Sequence, residues 1–513
     1  MGYNKNQVNF YPQGAPRTIF TRAYSRAKVS KHSTQFHLAK QESTIMSLAV
    51  SQPLFWLYSV NILLVLSVVL HMLYQRRSPQ NLMAWLLTLI LLPYIGVFLY
   101  LAFSSRKFLK KSIKPKVEMR PCTSVQPKNQ LAIQLNRILQ TNNIAGTSDN
   151  NQVLVYEKDN EAFTAFLAAI EQAQKHIHIE TYIFELDATG QQILNALIKK
   201  AKQGVEVCLL LDALGSFHLY INQKKLKALK AAGGKYRFFQ PLWSSIFSAQ
   251  ANLRNHRKIY LFDQTTLFTG GMNLSDDYLG PKRKKHQTQR WIDLMFEIKG
   301  PITFHYQNLF NDDWFYTTQE KLTRPKLFHS NSIRTGEMMQ VVPSGPDIQE
   351  DALYESLLNS LYFAKQQILI VTPYFIPDNA IMKALLIAVK RGIEVTLLTP
   401  ATSDHLIFDL GRSSYMRELA EAGGKIYLFQ NNMLHSKLII IDEDLAIIGS
   451  ANFDYRSLFI NHEIVNFVYS ETLIKTLLTW LQKQLEQSDG YNSETSRTKR
   501  LLENLTRIFA PIL

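Results

Sequence analysis

The longest uninterrupted apolar runs lie near the start of the chain. Residues 54–74 read "LFWLYSVNILLVLSVVLHMLY" and residues 81–103 read "NLMAWLLTLILLPYIGVFLYLAF", and neither run contains Asp, Glu, Lys or Arg. A helix needs about 20 apolar residues to cross the hydrocarbon core. Buried helices of soluble domains are usually shorter and amphipathic, so each run predicts a membrane span. Pro93 does not interrupt that reading, because membrane helices tolerate proline. The link "QRRSPQ" is too short for a domain. The two spans therefore predict a hairpin over 51–103 whose ends face the same side.

Beyond residue 103 the pattern changes. Short apolar runs alternate with amphipathic stretches, and the alternation occurs twice. "YIFELDATGQQILNALIKKAKQGVEVCLLLDA" begins at Tyr182 and "YFIPDNAIMKALLIAVKRGIEVTLLTPA" at Tyr374. Each predicts a strand end, a loop, an amphipathic helix, a glycine-marked turn and a buried strand. "LKALKAAGGKYRFFQ" and "MRELAEAGGKIYLFQ" follow, each a helix leaving through Gly-Gly into a short strand. A repeat of this length is a duplicated domain and not a solenoid unit. Strands alternating with helices predict an α/β fold with buried, largely parallel strands, although mixed sheets are common. The division expected is an extension over 1–50, the hairpin over 51–103, a basic linker over 104–150, a first domain over 151–335, a second over 336–490, and a C-terminal amphipathic helix over 491–513.

Charge orients this scheme. The chain carries a formal +16. Residues 1–50 and 104–120 each hold seven basic residues and one acid, together a net twelve of the sixteen. A nucleic-acid binder more often spreads its positive charge over the folded domain, so no nucleic-acid partner is expected. Charge beside apolar spans points instead to anionic lipid headgroups and to membrane orientation. The turn between the spans holds only Arg76 and Arg77. The positive-inside rule then puts the N-terminus and everything after residue 103 in the cytoplasm, with the chain in the cell (inner) membrane. Residues 1–45, poor in acid and weakly patterned, fit a targeting presequence, a disordered stretch, or an extension upstream of a start at Met46; the patterning favours the last two. The two cysteines, Cys122 and Cys208, exclude a disulfide framework and a four-cysteine zinc site. Cys208, inside "VEVCLLL", predicts a buried small hydrophobe.

The candidate chemistry is also duplicated. "NHRKIYLFD" ends at Asp263 and "LHSKLIIID" at Asp442. His256 and Lys258 share a strand face, as do His435 and Lys437. Asp263 and Asp442 lie at an odd offset from their histidines, which reads them as structural groups at the strand exit. Small-residue turns follow, "GGMN" with Asn273 and "GSANFDYRS" with Ser450 and Asn452. Asp293 in "RWIDLMFEI" and Glu463 in "NHEIVNFVY" are the candidates to orient the imidazoles, since a carboxylate on one ring nitrogen leaves the other free to attack. Placed face to face, one His attacks phosphorus and forms a covalent phosphoenzyme. The other donates a proton to the leaving alcohol and later takes one from the incoming alcohol. The two Lys, with Asn273 and Asn452, offset charge on the phosphoryl oxygens. This scheme calls for no metal and no cofactor.

These residues make the chain resemble the phospholipase D superfamily, and within it the bacterial cardiolipin synthases. The resemblance covers most of residues 50–513: the apolar pair, both "HxKxxxxD" motifs with their "GG" and "GS…N" continuations, and the terminal "ENLTRIFAPIL". It implies two α/β/α sandwich domains related by a pseudo-twofold axis, behind the membrane hairpin. It implies a phosphohistidine ping-pong reaction joining two phosphatidylglycerols into cardiolipin plus glycerol. His256, Lys258, Asp263, His435, Lys437 and Asp442 then become the catalytic set, with His256 the nucleophile. "GGMN" stands where the second motif has "GSAN", so a serine hydroxyl near the phosphate is expected from Ser450 alone. The partners implied are phosphatidylglycerol, other anionic phospholipids and the membrane. A hydrolase with the same intermediate, or a transferase using another alcohol, fits the same motifs; a non-catalytic scaffold fits them poorly.

Three further stretches have two readings. His176, His178 and Glu180 in "HIHIETY" share a strand face, which suits metal ligands but reads better as a plain sheet face. "PKRKKHQTQR" (281–290) is a solvated basic loop or a contact for anionic headgroups. The tail after residue 490 lies on a bilayer or packs as a terminal helix, and packing is favoured.

Overall fold

The structure is a computed structural model. It describes residues 55–74, 79–92, 94–103, 114–117, 125–127, 129–242, 252–281, 290–323, 336–348 and 350–507, with single positions at 36, 38, 41, 52 and 119. Nearly all of the expected extension 1–50, Cys122, and 282–289 of the basic loop lie outside them. The chain forms two compact units, divided between Leu101 and Ala102.

In the first unit one helix, Phe55–Tyr74, is long and apolar enough to cross a membrane among the described residues. The second apolar run, expected as one continuous span, is two shorter helices, Pro79–Leu91 and Ile95–Phe103. Proline lacks the N–H for the helical ladder and crowds the carbonyl four residues back, and the sequence places one between Leu91, where the first helix ends, and Ile95, where the second begins. Tyr94 follows with φ of 61°. Gly96 lies so close to Thr88 that a Cβ there would sit 2.8 Å from its carbonyl oxygen. Val68 and Met72 pack against Leu89, Val97 and Tyr100, and His71 Nδ1 lies 2.7 Å from the Tyr100 hydroxyl.

The second unit is built on one 15-stranded sheet. From one edge the order is β17 (Ser488–Gly490), β12 (Lys425–Phe429), β11 (Glu394–Pro400), β9 (Gln367–Val371), β13 (Leu438–Ile441), β14 (Leu445–Gly449), β16 (Glu463–Val468) and β8 (Glu337–Ser344). It continues with β1 (Ser148–Tyr156), β7 (Met295–Lys299), β6 (Thr266–Gly270), β5 (Ile259–Phe262), β2 (His176–Thr181), β3 (Glu206–Asp212) and β4 (Lys235–Phe239). Each half thus repeats the other outward from the β8–β1 seam. β2, β3 and β4 are parallel, as are β9, β11 and β12; the strands nearer the seam are antiparallel. A small parallel pair, β10 (Phe375–Ile376) and β15 (Phe453–Asp454), lies outside the main sheet.

Matching helices start on matching caps. Asp187 accepts from Gly190 N ahead of Ala188–Lys202, and Asp378 accepts from Ile381 N ahead of Asn379–Lys390, each satisfying an orphan N–H. One core runs across the seam. Leu210, Leu261, Phe296 and Trp314 join Met339, Val341, Ile370 and Ile440 in a single cluster. The stretch expected as a linker contributes to it: the helix Gln130–Thr141 buries Leu131, Leu135 and Leu139 there. The terminal helix Arg497–Thr506 packs on Leu406–Glu421 through a Glu503–Arg417 ion pair, with Leu501, Leu502 and Leu505 exposed.

Candidate active site

His256 and His435 occupy matching positions just before β5 and β13, at the C-terminal ends of the parallel strands, where open α/β sheets place their ligand sites. The loops that carry them are stitched to the opposite half. His256 N donates to His462 O at 2.8 Å, and His462 N to Arg254 O at 2.9 Å. In mirror image, His435 N donates to Ile292 O and Ile292 N to Met433 O, both at 2.8 Å.

The side chains cross as well. His256 Nδ1 lies 3.0 Å from the Glu463 carboxylate, and His435 Nδ1 lies 2.8 Å from Asp293 Oδ2. Each imidazole is therefore held by a carboxylate from the other half. Glu463 and Asp293 are the two acids the sequence offered as orienting candidates; the sequence did not say which acid serves which histidine. All four groups are buried. Nδ1 engaged on a carboxylate leaves Nε2 for chemistry. Among the described residues no bond to His256 Nε2 occurs, whereas His435 Nε2 is approached by the Tyr278 hydroxyl at 3.4 Å and Lys437 Nζ at 3.0 Å.

Lys258 Nζ donates to His256 O at 3.0 Å, and Lys437 Nζ lies 4.0 Å from Asp293. Burial and the mutual proximity of these cations shift their titrations. Burial pulls Lys258 down to about 7 and Lys437 down to about 8, against the pull of Glu463 and Asp293 respectively. Burial lowers His256, with Glu463 opposing, and burial with the charges of Lys437 and Lys258 puts His435 well below the usual imidazole range.

The two carboxylates are not equivalent. The Ser450 hydroxyl donates to Glu463. Burial works against ionisation of Glu463, but His256, Lys258 and that hydroxyl together hold it below the ordinary glutamate value. Burial instead raises Asp293 to about 7, with Lys437 opposing. Gly271 stands where the second half has Ser450, and a Cβ there would meet the Asp293 oxygens at 2.3 and 2.4 Å. Ser450 was expected to face the phosphate; its hydroxyl is committed to the orienting carboxylate. Asn273 Oδ1 accepts from Ile183 N at 3.3 Å. Asn452 is buried beside Lys437 around a small cavity, its Oδ1 without a partner among the described residues.

Asp263 and Asp442, expected in the catalytic set, are not brought to the histidines. They lie at the far ends of β5 and β13 from the histidines. Asp263 accepts from the N–H groups of Gln174, Lys175 and His176 at 2.6–2.9 Å. Asp442 accepts from Lys365, Gln366 and Gln367 at 2.8–3.0 Å. Both have φ near +50°, a left-handed conformation that aspartate tolerates better than most residues. The odd offset had marked them as structural; the motif resemblance had placed them with the catalytic groups.

Sequence reasoning missed several neighbours. The Tyr182 ring lies edge-on to His256 at 4.9 Å, and Tyr278 and Trp291 lie 5.0 and 5.2 Å from His435. Tyr182 opens the repeat, a signal; Tyr278 carries none, because it has no counterpart in the second copy. Arg257, between His256 and Lys258, is buried and pairs with Asp313 at 2.8 Å and Asp347 at 3.1 Å. Lys114 joins both aspartates at 2.7 and 2.8 Å, and His462 joins Asp347 at 3.0 Å. His176 and His178 meet Glu206 of β3, not Glu180; Glu180 accepts from Asn255 Nδ2. The three ligand atoms of His176, His178 and Glu206 lie within 4.8 Å of one another. Gln307 Nε2 lies 2.8 Å from His178 Nδ1, so the cluster is also tied into a hydrogen-bond network.

Two half-sites of the His-x-Lys type, sharing carboxylates across a duplicated α/β sheet, define a phospholipase D-like enzyme. Residues 166–314 and 357–485 match the family described as "Cardiolipin synthase, PLD-like domain", and 60–104 match "Phospholipase D-nuclease N-terminal". Cardiolipin synthase 1 of Bacillus cereus is 34% identical over 464 residues, covering 86% of this chain and 90% of that one. The major cardiolipin synthase ClsA of Bacillus subtilis is 32% identical over 479 residues, covering 89% and 98%. The crystal structure of phosphatidylserine synthase from Haemophilus influenzae shares the fold, with a TM-score of 0.55 at 14% identity over 74% of this chain and 98% of that one. The chain belongs to the cardiolipin synthases of the phospholipase D superfamily.

Proposed function

We propose that this enzyme transfers a phosphatidyl group from one phosphatidylglycerol to a second, giving cardiolipin and glycerol. The observation that carries the chemistry is the reciprocal pairing of His256 with Glu463 and His435 with Asp293. Nδ1 of each ring is occupied, so Nε2 is the reactive atom. His256 Nε2, without a bond among the described residues, attacks phosphorus. The P–O bond to glycerol breaks as the N–P bond forms, and His435, protonated once the anionic phosphodiester offsets the charge of the lysines, gives the departing oxygen a proton. His435 then takes a proton from a hydroxyl of the second phosphatidylglycerol, whose oxygen displaces His256. Lys258, Lys437, Asn273 and Asn452 stabilise the phosphoryl oxygens, in a buried site where each contact is stronger than in water. One phosphodiester is exchanged for another, so the reaction needs little driving force.

The helix Phe55–Tyr74 and the kinked pair after it form a hairpin in the cell membrane, with both ends and the catalytic unit on the cytoplasmic side. The packing of Val68 and Met72 on Leu89 and Tyr100 supports it, as do the basic flanks. Phosphatidylglycerol labelled in the phosphatidyl group, mixed with His256→Ala and His435→Ala separately, tests the roles. Label retained by His435→Ala protein alone is expected; label retained by His256→Ala protein contradicts the assignment.

A further inference from the structure

Two apolar surface segments occupy matching places beside the site. After β3, Leu214, Phe217 and Ile221 are 48%, 42% and 58% exposed; after β11, Leu406 and Ile407 are 75% and 48% exposed. Both segments leave the C-terminal ends of the parallel strands, where the histidines sit. The first is one layer from His256. Gly215 packs so closely on Tyr182 that a Cβ would meet its carbonyl oxygen at 2.3 Å, and the Tyr182 ring lies on His256. On the other side the Tyr374 hydroxyl bonds Asp404 at 2.5 Å and its ring lies 4.5 Å from Phe408. Charge around the segments suits an anionic surface. Lys224, Lys225 and Lys227 follow Ile221, all exposed. The acids beside Leu406 are already engaged, Asp404 with Tyr374 and Asp409 with Arg412 at 2.6 Å.

We infer that Leu214, Phe217, Ile221, Leu406 and Ile407 form a collar that enters a bilayer of anionic phospholipid and seats the mouth of the site on it. Large side chains exposed on paired segments at a mouth mark an interaction surface. Apolar residues beside lysines are the composition that docks at an anionic interface. Through the collar a lipid phosphodiester reaches His256 and His435 without leaving its leaflet. The choice of a lipid bilayer as occupant rests on the proposed phosphatidyltransferase activity.

The test reads insertion without turnover. In full-length protein carrying Cys122→Ser, with Cys208 buried, a fluorophore is attached at Phe217→Cys, Leu406→Cys or the exposed Lys202→Cys at the opposite end of the sheet. The protein is reconstituted in vesicles of phosphatidylglycerol and phosphatidylethanolamine, some of the lipid bearing a nitroxide on the acyl chain. Severalfold quenching by the lipid nitroxide at 217 and 406, with protection from aqueous iodide and the reverse at 202, is expected. The same pattern in His435→Ala protein separates docking from catalysis. Iodide quenching at 217 and 406 equal to that at 202 would overturn the inference. So would shielding from iodide without nitroxide quenching, the mark of a second protein copy on the collar.

Discussion

Gly271 and Ser450 hold matching positions under the two orienting carboxylates. Ser450 supplies a hydroxyl to Glu463; Gly271 leaves space that the shorter Asp293 fills. Any side chain at 271 therefore pushes on Asp293 and, through it, on His435. A misplacement of about 1 Å in a catalytic group can cost roughly 100-fold in rate. Gly271→Ala should lower kcat by about that factor with little change in KM or in thermal stability; an unaltered kcat would show that Asp293 does not set the His435 geometry. The lysines give a second prediction. Lys258 at about 7 and Lys437 at about 8 lose their protons as pH rises. The free enzyme then loses the positive charge that receives the phosphodiester, whereas a bound anion holds the protons on. Since kcat/KM reports the free enzyme and kcat the complex, kcat/KM should fall above about pH 7–8 while kcat persists to higher pH. A pH series in lipid–detergent micelles checks this, and a kcat/KM flat to pH 10 would contradict it.

At the level of strands and turns, the Asp of each motif ties the far end of its strand to the backbone entering the neighbouring parallel strand, β2 or β9. Asp442 gathers three backbone N–H groups, and leaving such groups unpaired in a buried place costs about 1–3 kcal/mol. Asp442→Ala should lower the thermal midpoint by several degrees yet keep near-normal kcat in the surviving folded protein. His435→Ala should do the reverse. Complete loss of activity in stably folded Asp442→Ala protein would return that residue to the chemistry. These elements were legible because the repeat supplied two samples of each: strand, helix, Gly-Gly exit and His-x-Lys run all recur. The odd offset of the Asp was legible for the same reason, since side-chain direction alternates along a strand. The crossing of the carboxylates was not. Spacing along one copy cannot say that Glu463 serves His256, because that pairing depends on how the halves meet. The break in the second apolar run also escaped a reading by hydropathy, to which Pro93 contributes only a small polar term. Arg257 looked like a filler between two motif residues, because nothing local shows that its side chain enters a buried ion cluster with Asp313, Asp347 and Lys114.

For the molecule as a whole, duplication and function are one subject. Neither half holds a complete site: the first has His256 without Glu463, the second His435 without Asp293. The seam from β8 to β1 and the core beneath it hold the two together, and Lys114 draws the segment after the membrane unit into the ion cluster under the His256 loop. Near-symmetric half-sites make attack and resolution chemically alike, so the phosphatidyl group can be passed from one alcohol to another. The central claim is that the second alcohol is a lipid and not water. The most direct measurement uses purified full-length protein with phosphatidylglycerol carrying one label in its acyl chains and another in its free glycerol headgroup, with no nucleotide added. Cardiolipin and released glycerol in equal amounts, with added unlabelled glycerol lowering the cardiolipin yield, is the expected result. Phosphatidic acid as the sole lipid product, indifferent to glycerol, would contradict the account and leave a hydrolase.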